Sequence, residues 1–98
     1  MINLIKKKIQ KQIKVKYLKI YNTSFMHPKL KNNNSHFKII IVSQDFLKIN
    51  ILRRHQIIYN ILSKELKKVI HGIEIFTYTF KEWIKKKKNK ISYIQCKK

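Results

Sequence analysis

Ile2, Ile5, Ile9 and Ile13 recur at steps of three and four, separated mostly by lysines. That spacing lines up one apolar stripe on a helix, so a first helix is expected to turn this stripe toward a core. Val15 to Asn22 is rich in Val, Tyr and Ile and predicts a strand. Thr23 to Ser35 holds the single proline and the run Asn32, Asn33, Asn34, which mark a loop longer than a hairpin turn needs. His36 to Ser43 is apolar at nearly every position after Lys38, as suits a central strand. A turn over Asp45 to Asn50 leads into a helix carrying Leu52, His55, Tyr59, Leu62 and Leu66 at helical spacing. Val69 to Tyr78 predicts a third strand, with Val69, His71, Ile73 and Ile75 on one face and Gly72, Glu74 and Phe76 on the other. Thr79-Phe80-Lys81-Glu82 has the form of a capping box, opening a short last helix that carries Trp83. From Lys85 onward the chain is mostly lysine, which predicts fraying.

The order helix, strand, strand, helix, strand, helix places the chain in the α/β (α+β) class. Two strands joined by a loop should pair antiparallel, and the strand–helix–strand crossover should be right-handed. The expected fold is a three-stranded mixed sheet with helices on one face. Residues 1–86 are expected to form a single domain, and 87–98 a flexible basic tail.

Composition sharpens this picture. Ninety-eight residues supply one modest core, and 44% hydrophobic residues are enough to build it. The formal net charge of +20, from 24 Lys+Arg against 4 Asp+Glu, favours anionic partners. Yet Arg53 and Arg54 are the only arginines, alanine is absent, and isoleucine and asparagine abound. An A/T-biased genome produces that composition at solvent-facing positions, and nucleic-acid sites usually favour arginine for its bidentate fork. The charge alone therefore weighs more toward mutational bias than toward a dedicated nucleic-acid face. The longest aliphatic run, Ile39 to Val42, is far short of a membrane span. Lys6, Lys7 and Lys8 interrupt any signal-peptide core. The single cysteine, Cys96, excludes an internal disulfide and points to a reduced, cytoplasmic setting.

Catalysis finds little support. Asp45, Glu65, Glu74 and Glu82 fall on different elements, which disfavours paired-carboxylate chemistry. Gly72 is the only glycine, so neither a phosphate-cradling loop nor the GxxG loop of ordinary KH domains is available. Cys96 lies in the lysine-rich tail, where nothing would hold a base against it. Among the four histidines, His55 at core spacing and His36 at a strand end fit packing or capping roles. His71, between apolar Val69 and Ile73, also reads as a core histidine from pattern alone. Only His27, in the long loop, reads as free by default.

The segments SHFKIIIVSQDF, RRHQIIYNIL and HGIEIFTYTFKEW, taken together in this order and spacing, resemble the BolA family. The resemblance runs from the first strand through Trp83 and implies the class II KH-like BolA fold. It further implies a protein that works through partners. BolA proteins pair with monothiol glutaredoxins around a [2Fe-2S] cluster, with the glutaredoxin cysteine and glutathione ligating one side. By this resemblance His71 matches the C-terminal histidine ligand and His27 occupies the position of the loop ligand. Other members of the family act as DNA-binding transcriptional regulators of cell morphology and stress response. That alternative would use Arg53, Arg54 and nearby lysines such as Lys64 on the main helix. A homodimer is a further partner state to be considered; a membrane is not. The chain departs from the family in carrying Lys48 where a glycine usually follows the Asp-Phe motif. It also carries Asn22 and Thr23 where acidic residues are common.

Overall fold

The computed structural model describes residues 2–23, 36–68 and 70–96, with side chains from residue 89 onward excepted. Helix α1 (Ile2–Gln12) is followed by strands β1 (Tyr17–Asn22) and β2 (His36–Val42). A single 3-10 turn (Gln44–Phe46) leads to α2 (Ile51–Ile61) and α3 (Ser63–Lys68). Strand β3 (Gly72–Tyr78) and helix α4 (Phe80–Cys96) complete the order. The sheet runs β1-β2-β3, with β1 antiparallel and β3 parallel to β2. This is the mixed three-stranded sheet the element order predicts.

The predicted stripe of α1 is buried: Ile5, Ile9 and Ile13 join Phe37, Ile39 and Ile41 of β2 and Ile75 of β3 in one core. Helix α2 contributes differently from expectation. Its inward residues are Arg54 and Ile58, continued by Leu62 and Glu65, whereas Leu52 and Tyr59 are exposed and His55 is only half-buried. A periodicity count of apolar residues places the stripe one position away, because two of the inward positions are charged.

Those two charges are paired. Arg54, 4% exposed, donates from Nε to the Ile49 carbonyl at 2.7 Å and from Nη1 to the Glu82 carboxylate at 2.8 Å. Buried Glu65 accepts from the Lys8 ammonium of α1, which holds its carboxyl below the ordinary value despite the opposing cost of burial.

The segment between β2 and α2 is tied to the end of α1. Ser43 Oγ donates to the Lys14 carbonyl at 2.7 Å and accepts from the Asp45 amide, while Asp45 Oδ2 accepts from the Lys14 amide. Lys48 then adopts φ 64°, a left-handed conformation that suits glycine. The turn thus places a lysine in a conformation that glycine adopts without a side-chain penalty.

Two further features differ from the sequence-based picture. Trp83 stacks on Tyr17 and packs at a tilt against Tyr78, both on the sheet face turned away from α1 and α2, so α4 begins on the opposite face. Helix α4 also runs 17 residues to Cys96, well past the expected short helix and through residues assigned to the tail. Lysines are good helix formers, and a capped start lets them continue the helix. Among the described residues no helix is long and apolar enough to cross a membrane.

Candidate functional site

The end of the sheet where β2 and β3 begin gathers two imidazoles. His36 pairs in register with Gly72, and His71 directly precedes that strand. Their ring centroids lie 6.5 Å apart, tilted by 32°. Gly72 makes this possible by its lack of a side chain: a Cβ there would lie 2.5 Å from His36 Nδ1. The single glycine of the chain is therefore a close-approach glycine rather than a turn glycine.

The backbone around His71 is held from both sides. Ile70, 2% exposed, sits in the core and donates its amide to the Glu65 carbonyl at 2.8 Å. Strand pairing holds Gly72 on the other side. Between these anchors His71 is exposed, contrary to the core histidine expected from alternation. The strand starts only at Gly72, so alternation does not extend back to His71; Val69 lies outside the described residues. The connection from β1 to β2 also leaves and returns here, because the Thr23 amide donates to the His36 carbonyl at 2.9 Å. His27 belongs to that connection and lies outside the described residues.

The sequence-based reading brought His71 and His27 together but gave His36 only a strand-end role. The structure adds His36 as the neighbour of His71. The available signal was the lone glycine next to His71, in a chain that otherwise uses none.

An imidazole is chemically suited to iron, so the exposed His71 ring would serve as one of the four ligands that a [2Fe-2S] cluster needs. Among the described residues no group of three or more His, Cys, Asp or Glu side chains converges.

The residues of the alternative site separate. Arg53 is exposed; its amide is capped by Asn50 Oδ1 at 2.8 Å and its guanidinium reaches Gln56 Oε1 at 3.4 Å. Lys64 is exposed on α3. Arg54 is not available as a surface cation, which corrects the expectation: its guanidinium is enclosed and shared among Ile49, Thr77 and Glu82. Glu82 answers with a carboxyl held below its ordinary value, first by the Arg54 hydrogen bond and further by the Thr79 amide.

The family described as BolA-like protein matches residues 9–82 of this chain. A protein of Haemophilus influenzae named DNA-binding transcriptional regulator BolA is 41% identical, over 82% of this chain and 78% of its own length. An uncharacterized protein of Buchnera aphidicola is 39% identical, over 94% of this chain and 88% of its own. Among solved structures, BolA1 from Arabidopsis thaliana superimposes with a TM-score of 0.75 at 29% identity, covering 82% of this chain and 92% of that one.

Proposed function

The chain belongs to the BolA family, and from that premise we propose that it is a non-enzymatic adaptor holding one side of a [2Fe-2S] cluster opposite a monothiol glutaredoxin and glutathione. His71 is the primary ligand and His27 the second; the cytosol is the setting. The observation that carries this reading is the exposed His71 imidazole, set beside His36 at the sheet end where the His27 connection is tethered. Its anchored backbone fixes the Cα while leaving the ring accessible to a partner. A neutral imidazole in place of a thiolate makes a cluster less negative and raises its reduction potential. Protonation also competes with the metal for imidazole nitrogen, which favours handing the cluster on. In this arrangement His36 positions His71 by packing over Gly72.

Anaerobic cluster reconstitution with a monothiol glutaredoxin and glutathione tests the reading by visible absorption and circular dichroism. A heterodimer spectrum distinct from that of the glutaredoxin alone, lost in His71→Ala, is expected. An unchanged spectrum in His71→Ala would remove the ligand assignment.

The name of the Haemophilus influenzae relative favours a second reading, a DNA-binding transcriptional regulator. Arg53 and Lys64 are its exposed cations on this chain; Arg54 acts only by holding α2 in place. Salt titration against several duplex sequences separates specific binding from the field of a +20 chain. A preference for one sequence that survives moderate salt supports the regulator.

A further inference from the structure

The sheet face turned away from α1 and α2 carries a basic, aromatic surface remote from both α2 and the core. Register places Tyr21, Lys38 and Glu74 in one row across the three strands, then Lys19, Ile40 and Phe76, then Tyr17, Val42 and Tyr78. Trp83 closes the third row by stacking on Tyr17 and meeting Tyr78 at a tilt, each with centroids at 5.3 Å. Between α4 and the strands lies a cleft of about 290 Å³, lined among others by Phe76, Tyr78, Trp83, Lys38, Lys86 and Lys87.

Lysines cover this protein everywhere, so they do not single out the face. Its aromatic rings do. Phe37 and Phe46 fill the core and Tyr59 is exposed on α2, whereas Tyr17, Tyr21, Phe76, Tyr78 and Trp83 lie on this face, all partly or fully exposed. Each ammonium is held at a ring: Lys38 lies 5.3 Å from the Phe76 centroid and 5.9 Å from Tyr21, Lys86 5.7 Å from Tyr78, and Lys87 5.5 Å from Trp83. These contacts keep flexible cations at the rim of the cleft at little cost. A planar base entering the cleft finds ring faces to stack on, and the ammoniums remain near its phosphates.

We infer that this face binds a single-stranded nucleic acid, by stacking unpaired bases on the Phe76, Tyr78 and Tyr21 rings while Lys38, Lys86 and Lys87 meet the backbone. A duplex hides the base faces that such rings require; an unpaired strand presents them. Successive residues on one face of a strand stand about 6.5–7 Å apart, which gives the strand a ladder of contacts. This surface involves neither the histidine pair nor Arg53 and Lys64, and it stands or falls independently of both readings above.

Trp83 is the only tryptophan, so its emission reports on the cleft directly. Titration of the full chain with a 15-nucleotide oligo-dT at about 0.15 M salt is expected to quench Trp83 saturably. Phe76→Leu and Tyr21→Ser should each weaken binding about tenfold, the usual scale for loss of one stacked base. Lys7→Gln, an exposed charge on α1, should change it less than twofold. Tyr21 is 42% exposed, so Tyr21→Ser keeps the test decisive should Phe76→Leu fail to fold. Equal effects of Tyr21→Ser and Lys7→Gln would overturn the proposal. So would tighter binding of a blunt duplex, or equal quenching by polyglutamate.

Discussion

Arg54 donates to both carboxylate oxygens of Glu82, at 2.8 and 3.3 Å, joining α2 to the first turn of α4. The same carboxylate accepts the Thr79 amide at 2.7 Å, while Thr79 Oγ1 accepts the Glu82 amide at 3.2 Å. One glutamate thus completes a capping box and neutralises a buried arginine.

Removing the arginine should be costly because the Thr77 and Ile49 carbonyls lose their donor along with Glu82. Arg54→Met is expected to lower stability by about 2–4 kcal/mol, read as a shift in urea midpoint. Glu82→Gln should cost less, since Arg54 keeps its carbonyl partners. The double variant should show a coupling of about 1–2 kcal/mol.

The acid limb of the stability curve should carry the same signature. Glu82 and Glu65 both have folded pKa values depressed below the ordinary value, by Arg54 and Lys8 respectively. A depressed carboxyl contributes stability that is fully present above its unfolded pKa, near ~4.3. That contribution is lost as pH falls from there through the lower folded value. Urea midpoints measured from pH 6 downward should therefore drop below pH ~4.5 in the wild type, and less steeply in Glu82→Gln.

Lys48 holds a left-handed conformation that glycine adopts without steric penalty. Lys48→Gly is expected to stabilise the protein by about 0.5–1 kcal/mol, the strain relieved being larger than the backbone entropy added to the unfolded chain. Thermal melts compared with Lys48→Ala, which should be nearly neutral, check this.

Gly72→Ala places a methyl against the His36 ring and should cost about 1–3 kcal/mol. The ring must turn, so the chemical shifts of both His36 and His71 should move. In the Gly72→Ala/His36→Ala background the added methyl should cost little, which separates ring displacement from backbone strain.

Much of the fold was legible because the chain obeys simple periods. The isoleucine stripe of α1, the strand order and the Thr79–Glu82 box all formed where the residues predict, although β1 begins at Tyr17 and β3 at Gly72, later than predicted. Helix α2 was misread by one position, since Arg54 and Glu65 face inward and only their distant partners Glu82 and Lys8 make that stable. No local pattern reports a partner 28 residues away. The exposure of His71 was hidden for a similar reason: it depends on where β3 starts, which the His36–Gly72 pairing sets. The length of α4 was underestimated because a lysine run scores as solvated whether it is helical or not.

The placement of the acids has a consequence for the molecule as a charged particle. Of the four acidic residues, Glu65 and Glu82 are taken up by ion pairs with one buried partner each, and Asp45 by the Lys14 amide. Attractions that hold the fold act at contact range and around an enclosed guanidinium, where mobile ions screen poorly. The outward field is left nearly uniform in sign and reaches only about a Debye length, ~8 Å at physiological ionic strength. Added salt therefore acts as a colloidal dial: it sets how closely copies of this protein approach one another and how far away a polyanion is felt.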